Sequence, residues 1–367
     1  MLNKAQIYEN LSFISHIILT QYRNYTFQSY DFNDKIVGIV GNNGIGKTNL
    51  LDAIYYTCFT KSYFQSKEAN NIQSGKDGFR IESHLENDCT IIKYKEAKKK
   101  ISFNNKIYDR AAEHIGTYTA IMIAPDDISL INGASEVRRK FMDSLLSQSD
   151  KTYLEALLQY QKLIQQRNAY LKQTPYFQID HTLLDIYDEQ IAPLANYIFE
   201  QRSTLSEKMP SIVQRYYQQI SDHKEHISIQ YESCMANGNF YDLLVANRGN
   251  DIQARRTTVG IHTEDWTYLL NENPCKAHAS QGQKKSLLIA LKLAHLDLLK
   301  EMGKNPFLLL DDIFEKLDKQ RMAAFFNLIK QLNLPQVFIT HTDFTDLNDA
   351  LKQHFDAYQI IDLNLDH

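Results

Sequence analysis

The segment Gly41-Asn42-Asn43-Gly44-Ile45-Gly46-Lys47-Thr48 constrains this chain more than any other. It fits G-x-x-x-x-G-K-[ST] and stands between an apolar stretch, Lys35 to Val40, and a helical pattern, Asn49 to Phe59. Glycines let a backbone wrap a phosphate because they reach φ > 0 without a side-chain clash. Backbone N–H groups and the helix N-terminus then face the anion. In this reading Lys47 reaches the β/γ-phosphates and Thr48 coordinates Mg²⁺.

Two further segments suit the same chemistry. Phe307-Leu308-Leu309-Leu310-Asp311-Asp312 reads as an apolar strand ending in two carboxylates. A Mg²⁺-nucleotide needs one acid at the end of a neighbouring strand, and a second can orient or deprotonate the attacking water. Asp311 is therefore assigned to the metal, through water, and Asp312 to the general base; a helix N-cap Asp is the plainer alternative. Ser280-Gln281-Gly282-Gln283 opens a long amphipathic pattern, Gln281 to Leu299. A Ser hydroxyl, a glycine N–H and a fresh helix N-terminus form a second anion cradle, or simply an N-cap. Two cradles in one chain suggest that the second serves a nucleotide held by another copy.

Strand patterns fall at Ile14 to Thr20, Lys35 to Val40, Phe79 to Leu85, Cys89 to Lys95, Lys100 to Phe103 (with Asn104-Asn105 as a turn) and Tyr118 to Ala124. From about Ser135 to Asp222 the pattern is helical. Leu184, Ile191, Ile198 and Leu205 keep a seven-residue beat, Gln173 to Asp180 is the hairpin turn, and Pro193 should kink the second helix. Strands return at Ile227 to Tyr231, and polar Asn247 to Arg256 reads as a loop or mobile edge. Pro306 to Asp312, Lys319 to Leu332 and Gln336 to Thr340 read as strand, helix, strand, which implies a parallel sheet. The expected organisation is an α/β head, 1–134 and 226–367, with a helical arm, 135–225, inserted in it.

The chain has 367 residues and no apolar run approaching a membrane span. Its start lacks the pattern of a signal peptide. The scattered Cys58, Cys89, Cys234 and Cys275 argue against a disulfide framework or a zinc site and suit a cytoplasmic protein. A net charge of −4 does not announce a nucleic-acid binder, so any DNA contact must rest on local patches. Candidates are Lys93, Lys95, Lys98, Lys99 and Lys100, then Arg138, Arg139 and Lys140, and Arg255-Arg256; Arg138-Arg139 could equally pair with acids at the base of the arm.

The order of phosphate loop, long insertion, S-x-G-Q, acidic strand and Leu317-Asp318 resembles ABC-type ATPases of the SMC group, and more closely the RecF family of bacterial DNA replication and repair proteins. Tyr22-Arg23-Asn24-Tyr25 is similar to that family's F-R-N-Y. Pro125-Asp126-Asp127, Gly133 and Arg138 to Asp143 resemble P-E-D…G…R-R-x-F-x-D, and Gln166 to Ala169 match Q-R-N-A. Arg256-Thr257-Thr258, Gly260, His262 and Asp265 resemble R-x-T…G-P-H-x-D-D, with Ile261 in place of the proline. The resemblance implies an ABC-type head, a mixed sheet with an antiparallel lobe, carrying a coiled-coil-like helical arm. It implies ATP and Mg²⁺ as cofactors and a homodimer that closes on ATP, with Ser280, Gly282 and Gln283 reaching the partner's nucleotide. Arg23 joins the nucleotide-binding residues and Asp318 marks the D-loop. His341 stands where ABC ATPases place a switch histidine, and could donate to the γ-phosphate. No Q-loop glutamine stands near Pro125, so Asp126 or Asp127 takes over its contacts. The resemblance further implies weak ATP hydrolysis, binding to double-stranded DNA near single-strand junctions, and work with RecR and RecO in loading RecA at gaps.

Two rivals remain on sequence grounds. A P-loop phosphotransferase would need a lid and an acceptor site and leaves Ser280 to Gln283 unexplained. A transporter-type ATPase would need a membrane-coupling surface and has no use for the helical middle.

Overall fold

The computed structural model describes residues 13–221, 225–313 and 318–365. The first twelve residues, Asp222 and Leu317 lie outside the described residues. The chain divides into two compact units, residues 1–127 with 291–367, and residues 128–290.

The first unit contains two sheets. Strands β1 (Ile14–Tyr22), β2 (Tyr25–Asp31), β4 (Gly78–Leu85), β5 (Asp88–Lys95), β6 (Lys98–Phe103) and β7 (Lys106–Ile107) form an antiparallel sheet in the order β2-β1-β4-β5-β6-β7. Strands β3 (Ile36–Val40), β8 (Ala120–Ile123), β12 (Phe307–Leu310), β13 (Val337–His341) and β14 (Gln359–Asp362) form a parallel sheet in the order β14-β3-β13-β12-β8. The two sheets differ in pattern as their burial requires. β3, β8, β12 and β13 are buried at every position, whereas β4 alternates inward Phe79, Ile81, Ser83 and Leu85 with outward Arg80, Glu82 and His84. Helix α1 (Lys47–Phe59) contacts β13 of one sheet and β4 of the other, which is why it is apolar on nearly all sides. Asn104 and Asn105 both take positive φ, 48° and 64°, and close the β6–β7 hairpin as the turn chemistry requires.

The second unit pairs helices α2 (Ser135–Ser149), α3 (Lys151–Gln173) and α4 (His181–Ser221) with α5 (Phe240–Ala254) and a small sheet, β11-β10-β9, built from β9 (Ile227–Glu232), β10 (Asp265–Leu270) and β11 (Asn273–Pro274). It is therefore larger than the expected arm at 135–225. β9 and α5 both pack against α4, so residues 226–290 share its core instead of the head's. Residues 247–256, expected as a loop, are mostly the C-terminal half of α5. Their polar side chains are not solvent-facing decoration: Asp251 is fully buried, and Arg248 is held by Asp185 and Asp188. Helix α4 runs uninterrupted through Pro193, which sits on its exposed side, where the carbonyl of Glu189 that loses its partner can reach water. Helix α6 (Gln281–Glu301) spans the boundary between the units, and α7 (Lys319–Leu332) and α8 (Phe344–His354) complete the first.

Candidate nucleotide site

In the first unit the C-terminal ends of β3, β12 and β13 lie side by side. His341 is registered beside Val40, the residue before the glycine loop, and Leu310 beside Ile339. In open parallel sheets ligands gather at this edge. The loop leaves β3 through Gly41 and enters α1 through Gly46, at φ 151° and 126°. A β-carbon on Gly46 would stand 2.6 Å from Asn24 Nδ2 and 2.8 Å from the Tyr25 hydroxyl, so only glycine fits. Tyr25 donates to the Gly46 carbonyl (3.0 Å), Asn24 Nδ2 to that of Ile45 (2.7 Å), and the Asn42 N–H to Asn364 Oδ1 (3.1 Å). Sequence reasoning quoted Asn24 and Tyr25 without a task for them and missed Asn364, which follows β14 with no local motif.

Lys47 is buried, and its Nζ donates to the carbonyls of Gly41 (2.8 Å) and Asn42 (3.2 Å), curling over the loop. The Thr48 hydroxyl donates to Asp311 Oδ1 at 2.9 Å, joining residues on neighbouring elements. Thr340 on β13 donates to the same oxygen (2.9 Å) and accepts from the Asp312 N–H (3.0 Å). Thr340 is a site residue that the sequence reading passed over; its place just before His341 on the adjacent strand was the available signal. Burial lifts the Asp311 carboxyl above its ordinary range, opposed by the bonds from Thr340 and Thr48, while Asp312 pushes it further up and Lys47 draws it down. Asp312 itself takes φ 45° at the turn out of β12. His341 is buried, with Nε2 4.0 Å from Asp346 Oδ2. Thr48 and Asp311 thus present hard oxygen donors side by side, a set that fits Mg²⁺.

Other candidates sit differently. Arg23 lies against α1, but its guanidinium donates to Asn71 (3.2 Å), Asn49 (2.7 Å), Ser62 (2.8 Å) and Asp52, which makes it a brace for the loop's helix. The Asp127 carboxylate is engaged by the Ala124 N–H (2.8 Å), Lys292 Nζ (2.9 Å) and the Tyr63 hydroxyl. Asp126 is exposed. Asp318 caps α7 through the Arg321 N–H at 2.9 Å.

In the second unit Ser280 and Gln283 form a reciprocal cap. The Ser280 N–H donates to Gln283 Oε1 (2.6 Å) and the Gln283 N–H to Ser280 Oγ (3.3 Å). Gln283 Nε2 is anchored on Glu225 (2.5 Å), which fixes this helix start while Ser280 stays exposed. Arg138 makes a two-pronged pair with Asp265 (2.6 and 2.8 Å), and Arg139 donates to the Glu264 carbonyl (2.6 Å). Arg138 thus follows the acid-pairing alternative, while Arg139 is held by a backbone carbonyl. Lys99 is tied to Glu68 (2.5 Å) and the Thr60 carbonyl (2.7 Å), whereas Lys98 and Lys100 are exposed.

A glycine phosphate loop and an acid pair at one edge of a parallel sheet, flanked by an antiparallel sheet, define the head of an ABC-type ATPase of the SMC kind. The Smc head domain of Pyrococcus furiosus has this fold, with a TM-score of 0.55 at 16% identity over 96% of this chain and 93% of that one. The family model described as RecF/RecN/SMC N terminal domain matches residues 13–359. The chain is 40% identical over 360 residues to the DNA replication and repair protein RecF of Flavobacterium johnsoniae, covering 95% of this chain and 99% of that protein. It is 37% identical over 357 residues to that of Phocaeicola vulgatus, covering 95% of each. The solved recombination mediator protein RecF-ATP of the RecFOR pathway superposes with a TM-score of 0.84 at 29% identity, over 91% of this chain and 93% of that one. The chain belongs to the RecF family of DNA replication and repair proteins.

Proposed function

We propose that this chain is an ATP-gated DNA clamp in which two copies close head to tail around two ATP molecules. The observation that carries this reading is the Thr48–Asp311 contact at 2.9 Å, which joins the phosphate loop to the acidic strand. The relative solved with ATP supports the choice of nucleotide. Gly41 to Thr48 cradle the phosphates, and Lys47 moves from two neutral carbonyls to the β/γ-phosphates. Thr48 and Asp311 hold Mg²⁺, which when bound neutralises phosphate charge. Asp312 takes the proton of the attacking water, and His341 donates to the γ-phosphate. Ser280, Gly282 and Gln283 of one copy meet the γ-phosphate held by the other, so ATP joins the pair and slow hydrolysis releases it.

The DNA surface lies on the β5–β6 hairpin. Lys93 faces Lys100 and Lys95 faces Lys98 across the ladder, and all four are exposed. Lys95 is paired with Asp77 at 3.0 Å, and like charges directly opposite one another destabilise a sheet, so phosphates would supply the neutralisation the rest of the lysine block calls for. The RecFOR pathway named for the solved relative supports work with RecR and RecO, and binding of double-stranded DNA at single-strand junctions and help in RecA loading belong to the same proposal.

Size measurement of the full chain with ATP, without it, and with duplex DNA tests the reading. Dimers form with ATP and persist in Asp312→Asn, which keeps ATP but does not split it. A chain that stays monomeric with ATP in both forms overturns the proposal.

A further inference from the structure

The antiparallel sheet of the first unit carries a second group of chemically capable side chains. On its outward face Asp31, His16, His84 and Cys89 stand in one cross-strand row over β2, β1, β4 and β5: His16 pairs with both Asp31 and His84, and His84 with Cys89. Glu82 lies two residues before His84 on the same face. The donor atoms of Glu82, His84 and Cys89 all lie within 4.8 Å of one another, and Glu82 Oε1 is 2.9 Å from His84 Nε2. All three residues are partly buried, so a ligand can reach them and yet be partly shielded.

Against the expectation from cysteine spacing, we propose that Glu82, His84 and Cys89 form a binding site for a borderline divalent transition metal, Zn²⁺ above all. A tetrahedral zinc with bonds of about 2.0–2.3 Å holds its ligand atoms roughly 3.3–3.8 Å apart, so the observed group needs only side-chain adjustment to close on an ion. One imidazole, one thiolate and one carboxylate select zinc-like metals over Mg²⁺. Outer contacts are in place as well. Arg80 binds the other oxygen of Glu82 and orients the carboxylate. His16 binds Asp31 through Nδ1 at 2.6 Å, the carboxylate–histidine arrangement that leaves the lone pair on Nε2, and its ring centroid is 5.8 Å from that of His84. The fourth position is water or, after rotation of its side chain, His16. On binding, the Cys89 thiol gives its proton to solvent, a sulfur–metal bond forms, and the ion sheds water. Because the ligands come from strands β4 and β5, with His16 on β1, the ion ties together the middle of the sheet.

The nucleotide-free full chain titrated with Co²⁺ tests this. A thiolate-to-cobalt absorption band appears in the near ultraviolet, Zn²⁺ displaces it, and Cys89→Ser abolishes it. Cys234→Ser, which removes the exposed thiol of the second unit, leaves it intact. His84→Gln weakens Zn²⁺ binding at least about tenfold, with circular dichroism showing the same fold, since no ligand that directly holds the ion should matter less than an outer partner. Absence of the band in the unaltered chain, or its persistence in Cys89→Ser, overturns the proposal.

Discussion

The first unit holds its key cation loosely and the second holds its own fast. Lys47 rests on two carbonyl oxygens, neutral partners that it can leave for a phosphate at small cost. Arg167, wholly buried in the second unit, is bound to Asp188 (2.8 Å), Asp251 (2.7 Å) and Thr257 (2.9 Å), and Arg248 closes the group from the other side. Arg202 repeats the scheme with Asp143 and Glu264. A buried charge bonded to ionic partners is held in place, whereas one hydrogen-bonded only to neutral dipoles is ready for an anion. Arg167 and Asp143 belong to segments that match family motifs as clearly as Lys47 does, yet their geometry is architectural. Motif membership alone does not separate chemistry from scaffold; the charge of the partner does.

Removing Arg167 is the harshest test of that contrast. Arg167→Met leaves buried Asp251 without its cation, held by Thr258 alone, and Asp188 with Arg248 alone, and should cost about 3–5 kcal/mol of stability, read by denaturant unfolding, while the molecules that remain folded bind ATP normally. Lys47→Met should do the reverse. It should lower ATP affinity by about 3 kcal/mol or more by calorimetry and leave the unfolding midpoint almost unmoved, because the hydrogen bonds lost go to neutral carbonyls and no ion pair is broken. If Lys47→Met unfolds the chain, or Arg167→Met abolishes ATP binding without unfolding it, the division fails.

Most of the first unit was legible because its periods are clean. The strands β3, β12 and β13 are short apolar runs with turn residues at their ends, and the glycine loop has one spacing. The second unit was legible as helix but not in its limits. α5 carries no amphipathic stripe, since it buries Asp251 and half-buries Arg248 where a pattern reader expects leucine. In the site, Lys47, Thr48, Asp311 and Asp312 announced themselves by motif. Thr340 and Asn364 did not, because their partners lie far off in sequence and nothing local marks them. Gly260 shows a third case. Its φ of 125° and the Phe240 and Tyr160 atoms 2.7 Å from a would-be β-carbon explain the glycine, while Ile261 fills with buried side chain the place where the family has proline.

A smaller effect sharpens the comparison at the cap of α6. Ser280→Arg removes a capping hydroxyl and should cost about 1 kcal/mol of stability. ATP binding by the single chain should persist while ATP-driven dimerisation stops, as measured by light scattering. Loss of nucleotide affinity in that variant would contradict a site shared between copies.

The smallest effect is a matter of pH, and it should appear in both units. In the first, His114 is buried against the Thr57 carbonyl (2.7 Å), and in the second His262 bridges the Thr257 carbonyl (3.1 Å) and the Tyr160 hydroxyl (2.7 Å). Burial lowers the pKa of each below its ordinary value, partly offset by those carbonyls. A histidine with a lowered folded pKa gives stability that is fully present above its unfolded pKa, about 6.5, and is lost as pH falls toward the folded value. Each ring should therefore contribute a loss of at most about 0.7 kcal/mol between pH 7 and pH 6, the limit in which the folded ring stays neutral throughout. His262 has a further reason to resist the proton: with Nε2 donating to Thr257, Nδ1 accepts from Tyr160, and protonation would set two donors against each other. His262→Gln should flatten the acid limb of the stability curve, and a limb of unchanged slope would mean that the ring is already charged in the folded chain.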